Sequence, residues 1–89
     1  MKKNERLSRR NAVHTPGSTA TNMINYSETS LKLEVEYVDG DVYHYLEVEP
    51  EKWEEYRDWV AQGKSSGEFV NKYIKPFYEQ RRIEQHSSV

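Results

Sequence analysis

Leu31-Lys32-Leu33-Glu34-Val35-Glu36-Tyr37 alternates apolar and charged side chains without a break, and Val38-Asp39-Gly40-Asp41 then leads into Val42-Tyr43-His44-Tyr45-Leu46-Glu47-Val48. Successive side chains of a strand point to opposite faces, so strict alternation predicts a half-buried strand. Asp39-Gly40 is a hairpin signal, because glycine takes up positive φ at no steric cost. Two registers follow from it. A two-residue loop pairs Tyr37 with Val42 and Val35 with His44, which sets His44 on the apolar face and Tyr43 and Tyr45 on the charged one. A three-residue loop, Val38-Asp39-Gly40, ends in a glycine bulge and pairs Val35 with Tyr43 and Leu33 with Tyr45. The second register collects Leu33, Val35, Tyr43 and Tyr45 on one face. It is preferred because it does not ask the core to bury His44. It leaves Val42, Leu46 and Val48 on the other face, so the return strand is either covered on both sides or part of a contact surface.

Working outward, Met23-Ile24-Asn25-Tyr26 reads as a first strand, and Ser27-Glu28-Thr29-Ser30 is turn chemistry. Pro50 suits the first turn of a helix, and Glu51, Glu54 and Glu55 near that end favour its dipole. Trp53, Tyr56 and Val60 recur at helical spacing with Trp59 beside them, and Gly63 is the expected stop. Ser65-Ser66-Gly67-Glu68 has the spacing of a capping box. A second helix is expected from about Gly67 to Lys75, burying Phe69, Val70, Tyr73 and Ile74, with Pro76 ending it. The fold class is therefore α+β: a small three-stranded antiparallel meander followed by two short helices packed on one face, over residues 23–78. Residues 1–22 show no hydrophobic period and contain Pro16-Gly17, which predicts a flexible basic arm. Residues 79–89 read as a frayed tail.

The 89 residues allow one domain with one modest core, since 35% of them are hydrophobic and 31% charged. There is no cysteine, which removes disulfides, a thiolate nucleophile and a thiolate zinc site together. A small domain without such staples is expected in the cytoplasm. No apolar run approaches the roughly 20 residues that span a bilayer, and no apolar stretch follows Met1-Lys2-Lys3, so neither a membrane span nor a signal peptide is expected. The net charge of −2 is unevenly distributed. Residues 1–22 carry five basic side chains against Glu5, residues 23–78 carry six basic against twelve acidic, and residues 79–89 balance. An acidic body is a poor general nucleic-acid binder, although the basic arm can contact phosphate.

Residues from about Ile24 to Tyr78 resemble the KTSC domain family, named for a C-terminal extension on some lysyl-tRNA synthetases and found also in short bacterial and phage-related proteins. The resemblance rests on Leu33-Glu34-Val35-Glu36-Tyr37, Asp39-Gly40 and Val42-Tyr43-His44-Tyr45, whose Tyr-x-Tyr centre is the family's best-known mark. It continues in Ser66-Gly67-Glu68-Phe69-Val70-Asn71, then Ile74 and Tyr78. Val48-Glu49-Pro50 holds one residue more than the family's usual Val-Pro. The resemblance implies a short α+β fold and no established activity; RNA binding is suggested by the synthetase context.

Two kinds of binding surface are nominated. For nucleic acid, Tyr43 and Tyr45 are candidates to stack bases, and Lys72, Lys75, Arg81 and Arg82 are candidates for a phosphate-contacting strip with the arm. The competing readings are that the tyrosines are core, as the preferred register implies, and that the basic residues are an ordinary solvated face. For a protein partner or a homo-oligomer, Val42, Leu46, Val48 and Trp59 are the candidates. His14, His44 and His86 lie far apart without ligand spacing, so no metal is expected, and no cofactor motif is present. No nucleophile elbow or Gly-rich phosphate loop occurs, so no catalytic residue is nominated and a non-catalytic module is expected.

Overall fold

The computed structural model describes residues 6–83. The extremes of the predicted arm and tail, residues 1–5 and 84–89 with His86, lie outside the described residues. The chain forms β1 (Val13–His14), β2 (Thr21–Ser27), β3 (Lys32–Tyr37), β4 (Val42–Tyr45), α1 (Pro50–Ala61), α2 (Ser66–Phe69) and β5 (Gln80–Ile83). A single antiparallel sheet runs in the order β1-β2-β3-β4-β5. The α+β class holds, but the sheet has five strands rather than three. The predicted meander is its centre, β2 to β4, and the two added strands come from the segments read as arm and tail.

The three-residue hairpin register is the one adopted. Leu33 pairs with Tyr45 and Val35 with Tyr43, while Glu34 opposes His44. Gly40 sits at φ 97° and donates its N–H to the Tyr37 carbonyl at 2.9 Å, and the Tyr37 N–H donates to the Asp41 carbonyl at 2.8 Å. The pleat then sorts the side chains. Ile24, Tyr26, Leu33, Val35 and Tyr45 face the helices and pack with Val48, Trp53, Tyr56, Phe69, Val70 and Ile74. Tyr26 stacks on Trp53 at 5.5 Å and Tyr56 on Phe69 at 4.4 Å. Such pairs add about 0.5–1.5 kcal/mol each beyond area burial.

The second helix is less regular than its spacing predicts. Ser65 caps α2, its hydroxyl accepting the Glu68 N–H at 3.1 Å. After Phe69 the chain widens into a π-turn over Val70–Ile74, where the Lys75 N–H reaches the Val70 carbonyl at 2.8 Å. Val70 and Ile74 are thereby buried, while Tyr73 is left largely outside the core.

The other face of the sheet is also covered, and here the arm prediction is corrected. Residues 9–11 form a 3₁₀ turn, Val13 and His14 pair with Ile24 and Met23, and Arg6 to Ser8 cross the sheet. Arg6 donates to Glu34 and to Glu36, and the Leu7 N–H donates to Glu34. Polar composition does not keep this segment from pairing with the sheet, because its donors meet the buried Glu34 and the half-buried Glu36 carboxylates. The tail is corrected likewise: Gln80 to Ile83 pair with Tyr45 to Val42 as an edge strand.

Candidate functional site

Tyr43 and Tyr45 lie on the helix-facing side of β4, beside Tyr37 of β3. Tyr45 is fully buried, and its hydroxyl is 2.8 Å from that of Tyr37. Burial, followed by the hydrogen bond to Tyr37, pushes the Tyr45 phenol well above its ordinary range. It stays a neutral hydrogen-bonding group and offers no ring face to a base. Tyr43 is half-buried, with its ring 5.8 Å from Tyr37 and 6.4 Å from Tyr45. The exposed edges of Tyr37 and Tyr43 line a groove of about 290 Å³ with Asp39, Asp41, Lys75 and Gln80. The tyrosine pair is therefore mainly core, with one partly reachable member.

The basic strip does not assemble. Arg81 and Arg82 are neighbours on a strand, so they point to opposite faces. Arg82 stands opposite Tyr43 on the helix side and is bonded to Asp41 at 3.2 Å. Arg81 stands opposite His44 on the arm side. Lys72 donates to Glu68 at 2.9 Å, one turn away on an exposed face. The Lys75 ammonium sits 5.5 Å above the Tyr37 ring. Four cations near in sequence are dispersed over two layers.

The predicted protein-contact set also divides. Val42 is buried on the arm side, in the cross-strand row that joins Met23, Glu36 and Ile83. Val48 is buried on the opposite side, in the helix-facing core. The strand ends at Tyr45, and Glu47 takes up φ 57°, which breaks the alternation that had set Val42 and Val48 on one face. Leu46 is half-buried, its N–H bonded to the Glu79 carbonyl. Trp59 alone remains at the surface of the helical layer, half-buried, with its indole N–H donating to the Ser65 carbonyl at 2.7 Å.

Two features were missed. The first is the cross-strand row Asn25, Glu34, His44, Arg81 under the arm. Glu34 has 0% exposure, and its Oε2 accepts from Arg6 Nε at 3.1 Å, the Leu7 N–H at 3.0 Å and His44 Nε2 at 2.9 Å. An ionised carboxylate only accepts, so His44 Nε2 carries the hydrogen. Burial pushes the Glu34 carboxyl up, but the bonds from His44, Leu7 and Arg6 outweigh it and hold it below the usual carboxylate range. A glutamate inside a perfect alternation reads as solvent-facing, so no local signal marks this one. The second feature is a groove of about 340 Å³ between α1 and the π-turn, lined by Glu55, Asp58, Trp59, Gln62, Phe69 and Tyr73. The aromatic spacing was legible, but the predicted helix buried Tyr73.

Among the described residues, no three His, Cys, Asp or Glu side chains are grouped to hold a metal ion, and no helix is long and apolar enough to cross a membrane. The architecture is that of a small α+β domain with shallow surface grooves, its sheet covered by helices on one face and by an arm on the other. The KTSC domain model matches residues 17–78, and the chain belongs to the KTSC domain family. A crystal structure of a KTSC domain protein from Yersinia pestis is similar, with 26% identity and a TM-score of 0.59 over 75% of this chain and 89% of that one. No curated protein sequence matches this chain. The family match begins at residue 17, so the segment bearing Arg6 to Asn11 lies outside it.

Proposed function

We propose that this chain is a non-catalytic module that binds RNA through its phosphate backbone, on the side of the sheet that carries the arm. The carrying observation is that three exposed arginines there meet no carboxylate among the described residues. Arg9, Arg10 and Arg81 are exposed, and none has a carboxylate partner among the described residues. Lys32 belongs to the same face as Arg81 by its pairing with Ser27, one residue from helix-facing Leu33. The acidic residues Glu51, Glu54, Glu55 and Asp58 sit on α1, across the sheet. A chain that is acidic in sum thus keeps a cationic side on which phosphates are attracted and guided. The family's occurrence on lysyl-tRNA synthetases directs the choice to RNA.

Titration of labelled single-stranded and structured RNA at two salt concentrations tests this. Binding is expected to weaken with salt, and Arg9→Gln with Arg10→Gln and Arg81→Gln to lower the slope of log affinity against log salt by about 2 on single strands. Lys72→Gln with Lys75→Gln, on the helical layer, serves as control and is expected to leave the slope within error. Loss of binding in the control variant, or no binding at low salt, would refute the assignment.

A further inference from the structure

The groove between α1 and the π-turn sets Trp59 and Tyr73 at the surface beside buried Phe69, with two carboxylates at its border. Trp59 lies 5.6 Å from Phe69 and 6.0 Å from Tyr73, and Phe69 lies 5.1 Å from Tyr73. The interplanar angles of 60°, 69° and 53° tilt the rings toward one another, so they form walls rather than a flat stack. Tyr73 keeps 40% of its surface exposed, and Glu55 and Asp58 border the same groove. Glu55 is bonded to Lys52, whereas Asp58 has no cation partner among the described residues.

We infer that this groove is a docking site for a cationic side chain, arginine or lysine, presented by a partner protein. Aromatic faces attract cations through their quadrupole, most strongly in tryptophan, and a nearby carboxylate adds direct charge complementarity. The chain already displays this chemistry once: the Lys64 ammonium lies 4.6 Å from the Trp59 ring centroid. The bond from the indole N–H to Ser65 holds the Trp59 ring in place, so little order is lost when a ligand enters. The site is on the helical layer, away from Arg9, Arg10 and Arg81, and stands or falls independently of RNA binding.

The test uses the full chain, labelled with ¹⁵N, and follows the indole N–H resonances during titration with short blocked peptides carrying arginine, lysine, citrulline or norleucine. The arginine and lysine peptides are expected to move the Trp59 resonance and leave that of buried Trp53 in place. Asp58→Asn and Tyr73→Leu, both at exposed positions, are each expected to weaken binding about two- to fivefold. Equal shifts with norleucine or citrulline would overturn the proposal by showing that charge is not read. So would an unmoved Trp59 resonance at millimolar peptide, or full affinity in both variants.

Discussion

Replacing Glu34 by alanine is expected to destabilise the domain by about 3–5 kcal/mol, measured by urea denaturation at neutral pH. The carboxylate is the hub of the arm side: Arg6, the Leu7 N–H and His44 converge on one oxygen, and the Asn25 amide lies 3.4 Å from the other. Removing it leaves a buried imidazole, a backbone N–H and part of a guanidinium without their acceptor, and each unsatisfied group costs about 1–3 kcal/mol. A domain of this size has only about 5–15 kcal/mol in total. The pH dependence gives an independent reading. The folded-state pKa of Glu34 lies below its unfolded value, so its contribution is complete above the ordinary carboxylate range and is lost as pH falls through the folded pKa. Glu34→Gln is expected to lower stability at neutral pH and to flatten the decline below about pH 4 relative to wild type. Stability of Glu34→Ala within 1 kcal/mol of wild type would show that the arm does not rest on this carboxylate.

Gly67→Ala is expected to cost about 1–3 kcal/mol although alanine is the better helix former. A Cβ at position 67 would stand 2.7 Å from the Ala20 methyl. Neither side yields easily. Gly67 is buried in the first turn of α2, which Ser65 caps. Ala20 is fixed by its N–H to the Ser18 hydroxyl and by its carbonyl, which accepts the Val38 N–H. The clash is specific, so Ala20→Gly should recover most of the loss, with a coupling of about 1 kcal/mol or more in the double-mutant cycle. Additive effects would locate the cost in the helix itself. Ser65-Ser66-Gly67-Glu68 announces a helix start, and the cap forms; that its glycine also lets β2's entry loop against the helix needs both segments in view.

The RNA and cationic-peptide proposals use opposite sides of the sheet. The predicted basic strip mixed the two sides, because Arg81 and Arg82 are adjacent in sequence and the pleat parts them. The three-residue hairpin forms, yet it does not spare His44 from burial: the residue is 2% exposed in this register too. It is buried on the polar side, against Glu34, where an acceptor awaits it.

Local sequence is enough for the central meander, the first helix, the cap of the second and the family resemblance, and of two hairpin registers it favours the one that forms. Each is written in local terms: alternation of period two, a glycine where φ is positive, a proline at a helix start, apolar spacing near 3.6. The outer strands, the burial of Glu34 and His44, and the split of Val42 from Val48 are set by tertiary contact. These depend on which segments lie across the sheet from one another. A strand such as Gln80–Ile83 or a two-residue strand such as Val13–His14 has too few apolar side chains to show a period, and forms because a neighbouring edge offers its backbone hydrogen bonds.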